Sequence, residues 1–258
     1  MGNIYHEALE RYSKKLDRES TDWFSVTDTK RDELAMEAIN EVIDEYAGFG
    51  TFDTAESQHS ISHMKAVFKQ TVWALTTQIR RGSFVPERFE FSFYESLDMA
   101  NDVTVDIKGR VDRTDTYTDE GRLFVKVLDY KSGNTVFDLV KLYYGTQLQL
   151  AVYMDAVMEQ KKEALKQVSV EPGGMLYYHI DDPVIDLKDV TPGTELSEEE
   201  INQMILKKLK PDGLINSDEK AYRGMDRDFE KSSDVIPVTL KKGSDTGCRL
   251  KGGKRRRV

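Results

Sequence analysis

The sequence predicts an α/β fold in which helices flank a central sheet, and three observations carry that prediction. Three early segments place apolar residues at helical period, the middle of the chain changes to strand alternation, and a long helical pattern then leads into another apolar strand. With 258 residues the chain can bury a sizeable core, as one large domain or two small ones.

The first helix is expected over 2–16, where Ile4, Tyr5, Ala8, Leu9, Tyr12 and Leu16 share one side. The second, 31–47, carries Leu34, Ala38, Ile39, Val42, Ile43 and Tyr46 on one stripe, and the third, 61–81, carries Met64, Val67, Phe68, Val72, Leu75 and Ile79. Gly48 and Gly82 follow as helix stops. Phe89, Phe91 and Phe93 then alternate with polar residues, as do Val103, Val105, Ile107, Gly109 and Val111, which is strand spacing. A third strand, 122–131, follows a polar stretch at 115–121 that closes a hairpin, so three adjacent antiparallel strands are expected. A long helix is read over 143–165 and a strand over 174–180, after a Pro-Gly-Gly turn. Ser197 and Glu200 form a capping-box pattern for a last helix, which Pro211 ends. Beyond it only 235–240 reads as a strand, and the basic tail 251–257 reads as disordered.

Composition excludes several classes. The net charge of -9 argues against a protein whose whole surface coats nucleic acid, although a local basic groove or a carboxylate metal site is compatible with it. The single cysteine, Cys248, rules out an internal disulfide framework and any cysteine-only metal site within the chain. No apolar run of membrane-spanning length and no secretory leader pattern occurs, so a cytoplasmic location is expected. The sequence has no Gly-x-x-x-x-Gly-Lys-[Ser/Thr] loop, so ATP hydrolysis has no place in it.

The chemistry concentrates in two strand ends, Gly109-Arg110-Val111-Asp112-Arg113 and Val127-Leu128-Asp129-Tyr130-Lys131. Asp129 and Lys131 are two residues apart, so they leave the same face and continue the row of Leu123, Val125 and Val127. Pairing of the two strands brings Asp112 and Asp129 to one end of the sheet, where two carboxylates can share magnesium or manganese. A metal there would activate water against a phosphodiester, with Lys131 orienting the water or neutralising developing charge. A salt bridge at a strand end is the commoner meaning of an isolated Asp-x-Lys. His59 and His63 have the spacing of a metal pair without a third ligand nearby and are read as structural, as is His179. Arg80, Arg81, Arg88, Arg110 and Arg113 are candidate phosphate contacts whose ordinary meaning is a solvated surface.

Asp112, then Asp129-Tyr130-Lys131, then Gln149 and Tyr153 on the following helix resemble the PD-(D/E)XK nuclease superfamily in its RecB-type branch. The first-helix run Gly2-Asn3-Ile4-Tyr5-His6-Glu7, the run Tyr-Tyr-Gly-Thr-Gln-Leu-Gln-Leu and Gly-Met-Leu-Tyr-Tyr-His-Ile narrow the resemblance to AddB-type nuclease domains of bacterial helicase–nucleases, across roughly 2–240. The resemblance implies a restriction-endonuclease-like core with a central mixed sheet. It implies a domain over 1–210 with a helical insertion at about 20–82, and 211–258 as a C-terminal extension.

By that resemblance Asp112 and Asp129 bind the metal, Lys131 is the catalytic lysine, and the Tyr130 carbonyl adds a ligand. His6 matches the family's first-helix histidine beside the metal, in keeping with its place off the centre of the apolar stripe. Glu90 matches an acidic residue of the first strand, with a second metal-binding role. Gln149 and Tyr153, four apart on one helix face, position substrate or strand ends. The implied function is magnesium-dependent hydrolysis of DNA beside an AddA-type helicase partner in double-strand-break processing, with the 5′-ended strand degraded as it leaves the helicase. The rivals are a silent DNA-binding or scaffolding domain and a stand-alone phage-type exonuclease. AddB-type domains also hold an iron–sulfur cluster through four cysteines. The sequence supplies none of them, since Cys248 has no neighbouring cysteine, so a cluster is not supported and a fragment or a divergent member is expected.

Overall fold

The computed structural model describes residues 2–47, 55–99, 103–185 and 196–240; Gly48, Cys248 and the tail 251–257 lie outside the described residues. Three helices, α1 (Gly2–Arg18), α2 (Asp28–Ala47) and α3 (Ala55–Arg81), precede three strands, β1 (Val85–Met99), β2 (Val103–Asp119) and β3 (Arg122–Lys131). Then come α4 (Leu139–Tyr143), α5 (Gln149–Ala164), β4 (Ser169–His179), α6 (Glu198–Lys208), β5 (Asp212–Ile215) and α7 (Glu219–Met225). The strands form one mixed sheet in the order β1-β2-β3-β4-β5, antiparallel except for β3 with β4, as the α5 crossover between those two requires. No helix among the described residues is long and apolar enough to cross a membrane.

Each face of the sheet carries its own core. Helices α1 to α3 pack on one face against Phe124, Leu128, Tyr130 and Tyr178, with all six residues of the α1 stripe buried as its period requires. On the other face α5 brings Leu150, Met154 and Val157 against Val125, Val127 and Tyr177. Strand β3 is therefore buried on both sides from Leu123 to Tyr130, which places its carboxyl end under a low-dielectric roof.

Several elements differ from the sequence reading, each for a local reason. The expected helix at 143–165 is two helices. Asp138 caps α4, Gly145 at φ +74° stops the chain from continuing, and α5 starts afresh at Gln149. The Pro-Gly-Gly turn is part of β4, where the register shifts against β3 between Val125 and Lys126. A side chain at Gly173 would press on the Phe84 ring at 2.9 Å, so the bulge passes where only glycine fits. The β2–β3 hairpin turns tightly at Glu120 and Gly121, both with positive φ, while 115–119 stay in the strand. Segment 235–240 makes only the Ser232–Thr239 bridge, because the Ser233 hydroxyl already holds the Val235 and Ile236 amides. Beyond Pro211, β5 closes the sheet edge, and Val235, Ile236 and Val238 are buried in the helical-side core. The capping box at Ser197 and Glu200 forms as expected.

The three phenylalanines of β1 do not share a face. Phe89 packs with Trp23 on the side of α1, whereas Phe91 and Phe93 pack on the side of α5. The reversal occurs at Glu90, whose φ of +47° costs a non-glycine residue roughly 1 kcal/mol or more. Strand β2 reverses in step, since Val111 belongs to the α5 side and Arg113 lies over Trp23 and Phe89. Glu90 and Asp112 thus occupy a paired break in the ladder between Phe89–Arg113 and Phe91–Val111.

Candidate active site

That break is where the site forms, because α1 crosses the sheet there and supplies His6. The His6 Nδ1 lies 3.1 Å from Glu90 Oε1 and 3.4 Å from Asp112 Oδ2, and its Nε2 lies 3.1 Å from the Tyr130 carbonyl oxygen. Each of these neighbours is an acceptor, so both ring nitrogens carry protons. Burial opposes that charge, but hydrogen bonds and attraction from Asp112 and Glu90 outweigh it and hold the imidazole up at about 10. The Tyr130 amide donates to Asp112 Oδ2 at 2.7 Å, fixing that carboxylate across the two strands.

On the α5 side of β3, Asp129 and Lys131 project together as the two-residue period demands, 2.6 Å apart as an ion pair. Gln149, the first residue of α5, holds both: its amide nitrogen donates to Asp129 Oδ1 at 2.7 Å and its oxygen accepts from Lys131 Nζ at 2.9 Å. The same amide reaches the Tyr153 hydroxyl at 2.9 Å, one helical turn on. Asp129 is only 2% exposed. Burial and then the Asp112 charge push its carboxyl up to about 6, against the pull of Lys131 and His6. Its buried Oδ2 has no aligned hydrogen-bond donor, although it lies beside the Lys131 ammonium.

All eight residues singled out in the sequence, His6, Glu90, Asp112, Asp129, Tyr130, Lys131, Gln149 and Tyr153, thus meet in one connected cluster. Among the described residues the ligand atoms of His6, Glu90 and Asp112 all lie within 4.8 Å of one another, a group that does not itself include Asp129. Glu90 lies within that group, 3.1 Å from the imidazole. With Asp129 and the Tyr130 carbonyl alongside, the donors are mainly carboxylate and carbonyl oxygens plus one imidazole, a set suited to a hard divalent cation. The poorly satisfied Asp129 oxygen fits the same use.

The arginines divide. Arg110 is exposed beside the site, 3.3 Å from Glu90, and remains available to a phosphate. Arg113 is neither a phosphate contact nor a solvated charge: it is 1% exposed and clasps Asp115 with two 2.6 Å hydrogen bonds. Lys126 completes that buried triad at 2.7 Å. Sequence reasoning misses it, although Arg-x-Asp facing a lysine on the partner strand is a readable signal. Arg80 is spent on the backbone carbonyls of Trp23 and Val26. His63 pairs with Asp182 at the surface and His179 with the Gly133 carbonyl, away from any metal group among the described residues.

Residues 1–238 match the PD-(D/E)XK nuclease superfamily, and the chain belongs to that family. More particularly, it is 34% identical over 255 residues to the B subunit of the ATP-dependent helicase/deoxyribonuclease of Alkaliphilus metalliredigens. It is 35% identical over 257 residues to the protein of that name from Lachnoclostridium phytofermentans. In both comparisons 95% of this chain is covered but 21% of the relative, so the chain spans about a fifth of the length of the curated relatives it matches.

Proposed function

We propose that this chain is the nuclease domain of a helicase–nuclease subunit and hydrolyses DNA phosphodiesters with magnesium, manganese being able to substitute. The observation that carries the reading is the convergence of Glu90 and Asp112 at the mid-strand break of the β1–β2 ladder with His6 and with Asp129 and a clamped Lys131 at the adjoining end of β3, in a family nuclease fold. A divalent cation held by Asp112 and Asp129, with Glu90, His6 and the Tyr130 carbonyl around it, would acidify a bound water and offset charge developing on the phosphate. Lys131, fixed by Asp129 and Gln149, presents its ammonium to the attacking water or the phosphate oxygen. Gln149 and Tyr153 keep that lysine aligned and do not react themselves. Unwinding would be supplied within the helicase–nuclease complex by an ATP-driven partner subunit of the AddA type, a reading supported by relatives named as one subunit of an ATP-dependent helicase/deoxyribonuclease.

The test is cleavage of end-labelled single- and double-stranded DNA by the purified chain with magnesium, manganese or EDTA. Asp129→Ala and Lys131→Ala should abolish cutting while leaving circular dichroism unchanged. Cutting that persists in the highly purified variants would overturn the assignment. Binding of metal by the wild type with no cutting of any DNA would favour a scaffolding domain.

A further inference from the structure

We propose that Tyr143 and Tyr144 form a stacking platform for unpaired bases, which leads a single strand into the site; the proposal rests on the nuclease reading above. The segment between β3 and α5 starts one residue after Lys131 and ends one residue before Gln149, so both of its ends are anchored in the site. Its backbone is held firmly. Asp138 caps α4, Gln147 binds the Asp138 amide and the Val136 carbonyl, and Asp212 accepts from the Phe137 amide at 2.8 Å. Phe137 leans on Tyr177, whose ring carries Lys131 Nζ 5.1 Å above its centre.

A segment held this firmly nonetheless turns its largest apolar groups to water. Tyr143 is 83% exposed and Tyr144 73%, their rings 5.2 Å apart at 84°, and Val140 and Leu139 beside them are also exposed. Neither tyrosine hydroxyl bonds to a described residue. A contiguous exposed apolar face on a preorganised segment marks a binding surface rather than a folding one. Its occupant is identified by position and chemistry. Lys131 and Gln149 flank the segment in the chain, and Lys141 adds an exposed cation beside the rings, a charge suited to the phosphates of a strand held at the site. Bases inside a duplex already stack on one another and offer no free face, whereas unpaired bases do.

The test is fluorescence anisotropy in EDTA with labelled oligothymidylate and with an abasic oligomer of the same length and charge. The wild type should prefer the base-bearing strand by about 5- to 150-fold, the range that loss of one stacked base spans. The Tyr143→Ala/Tyr144→Ala pair should lose most of that preference and the Tyr143→Phe/Tyr144→Phe pair should keep it. Hydrolysis of bis-p-nitrophenyl phosphate, which has no base, should be the same in all three proteins. A wild type that binds both oligomers equally, or an alanine pair that still discriminates, overturns the proposal and leaves the face to a protein partner. Discrimination lost in the alanine pair while no protein cleaves any diester would support the platform and sink the nuclease reading instead.

Discussion

Replacing Asp115 by alanine should be among the most damaging single changes in the molecule, although the residue never touches the site. Its carboxylate, fully buried, accepts two 2.6 Å bonds from Arg113 and lies 2.7 Å from Lys126 Nζ. Removing it leaves two cations facing aromatic rings, Arg113 over Trp23 and Lys126 over Phe84, with no counter-charge. Three charge-assisted contacts at about 1.5–3 kcal/mol each would sum to more than 4 kcal/mol, but Lys126 can shed its proton, which burial already favours, so a loss of about 4 kcal/mol is expected. That is a large share of a typical 5–15 kcal/mol stability. Urea unfolding followed by fluorescence is well placed, because Trp23 sits on the triad. With a slope of about 3 kcal/mol per molar, the midpoint should fall by more than about 1 M. Asp115→Ala combined with Lys126→Met should recover part of the loss by removing one unpaired cation. A fall below about 1 kcal/mol with unchanged slope, or no recovery in the double variant, would show that the triad is not the buried unit described.

Two further predictions concern the site. Because the imidazole of His6 is held at about 10, it is charged at neutral pH, and its charge stabilises the metal-free fold most fully below about pH 6.5 and fades as pH rises through 10. A bound cation must displace that proton, so metal affinity should rise with pH between about 6 and 9 and calorimetry in buffers of different ionisation enthalpy should detect proton release; a flat response, or one kept in His6→Ala, refutes it. Gln149→Ala removes the group that joins Asp129 to Lys131 and should lower turnover about 10- to 100-fold while leaving metal affinity nearly unchanged; equal turnover would reduce Gln149 to packing.

The sequence is most legible where side-chain period and burial agree. The α1 stripe and the row from Leu123 to Lys131, with Asp129 and Lys131 on one face, can be read from spacing, because a period of two or 3.6 dictates which groups share a face, whereas the joining of Asp112 to that pair as a site rests on the family resemblance. His6, Glu90, Gln149 and Tyr153 need the family resemblance, since a helix histidine or an outward glutamate has no distinctive spacing. What stays hidden depends on partners distant in sequence. A positive φ at Glu90 is invisible in a strand pattern, so alternation alone puts Phe89 on the wrong face, and Arg113 reads as a surface charge without Asp115 and Lys126 around it. Glycine is ambiguous in both directions: Gly145 breaks a helix that reads as continuous, while Gly173 keeps a strand that reads as a turn.

The reversal at Glu90 and Asp112 also divides the molecule mechanically. Strand β2 pairs with β3 only from Arg113 onward, so among the described residues the stretch from Ser92 and Arg110 to Met99 and Val103 pairs only with itself. Those eight residue pairs make a ribbon about 24 Å long at about 3.4 Å per residue; Phe93 and Ile107 pack its base against the α5-side core, and the part beyond them is a two-stranded ribbon, which is marginally stable. Asp129 and Lys131 stand on a strand clamped between two cores, whereas Glu90 stands at the root of a compliant lever. One wall of the candidate site thus stands on the fully paired sheet and the other at the root of a two-stranded ribbon, so strain in that ribbon would be felt first by Glu90 and by the histidine beside it.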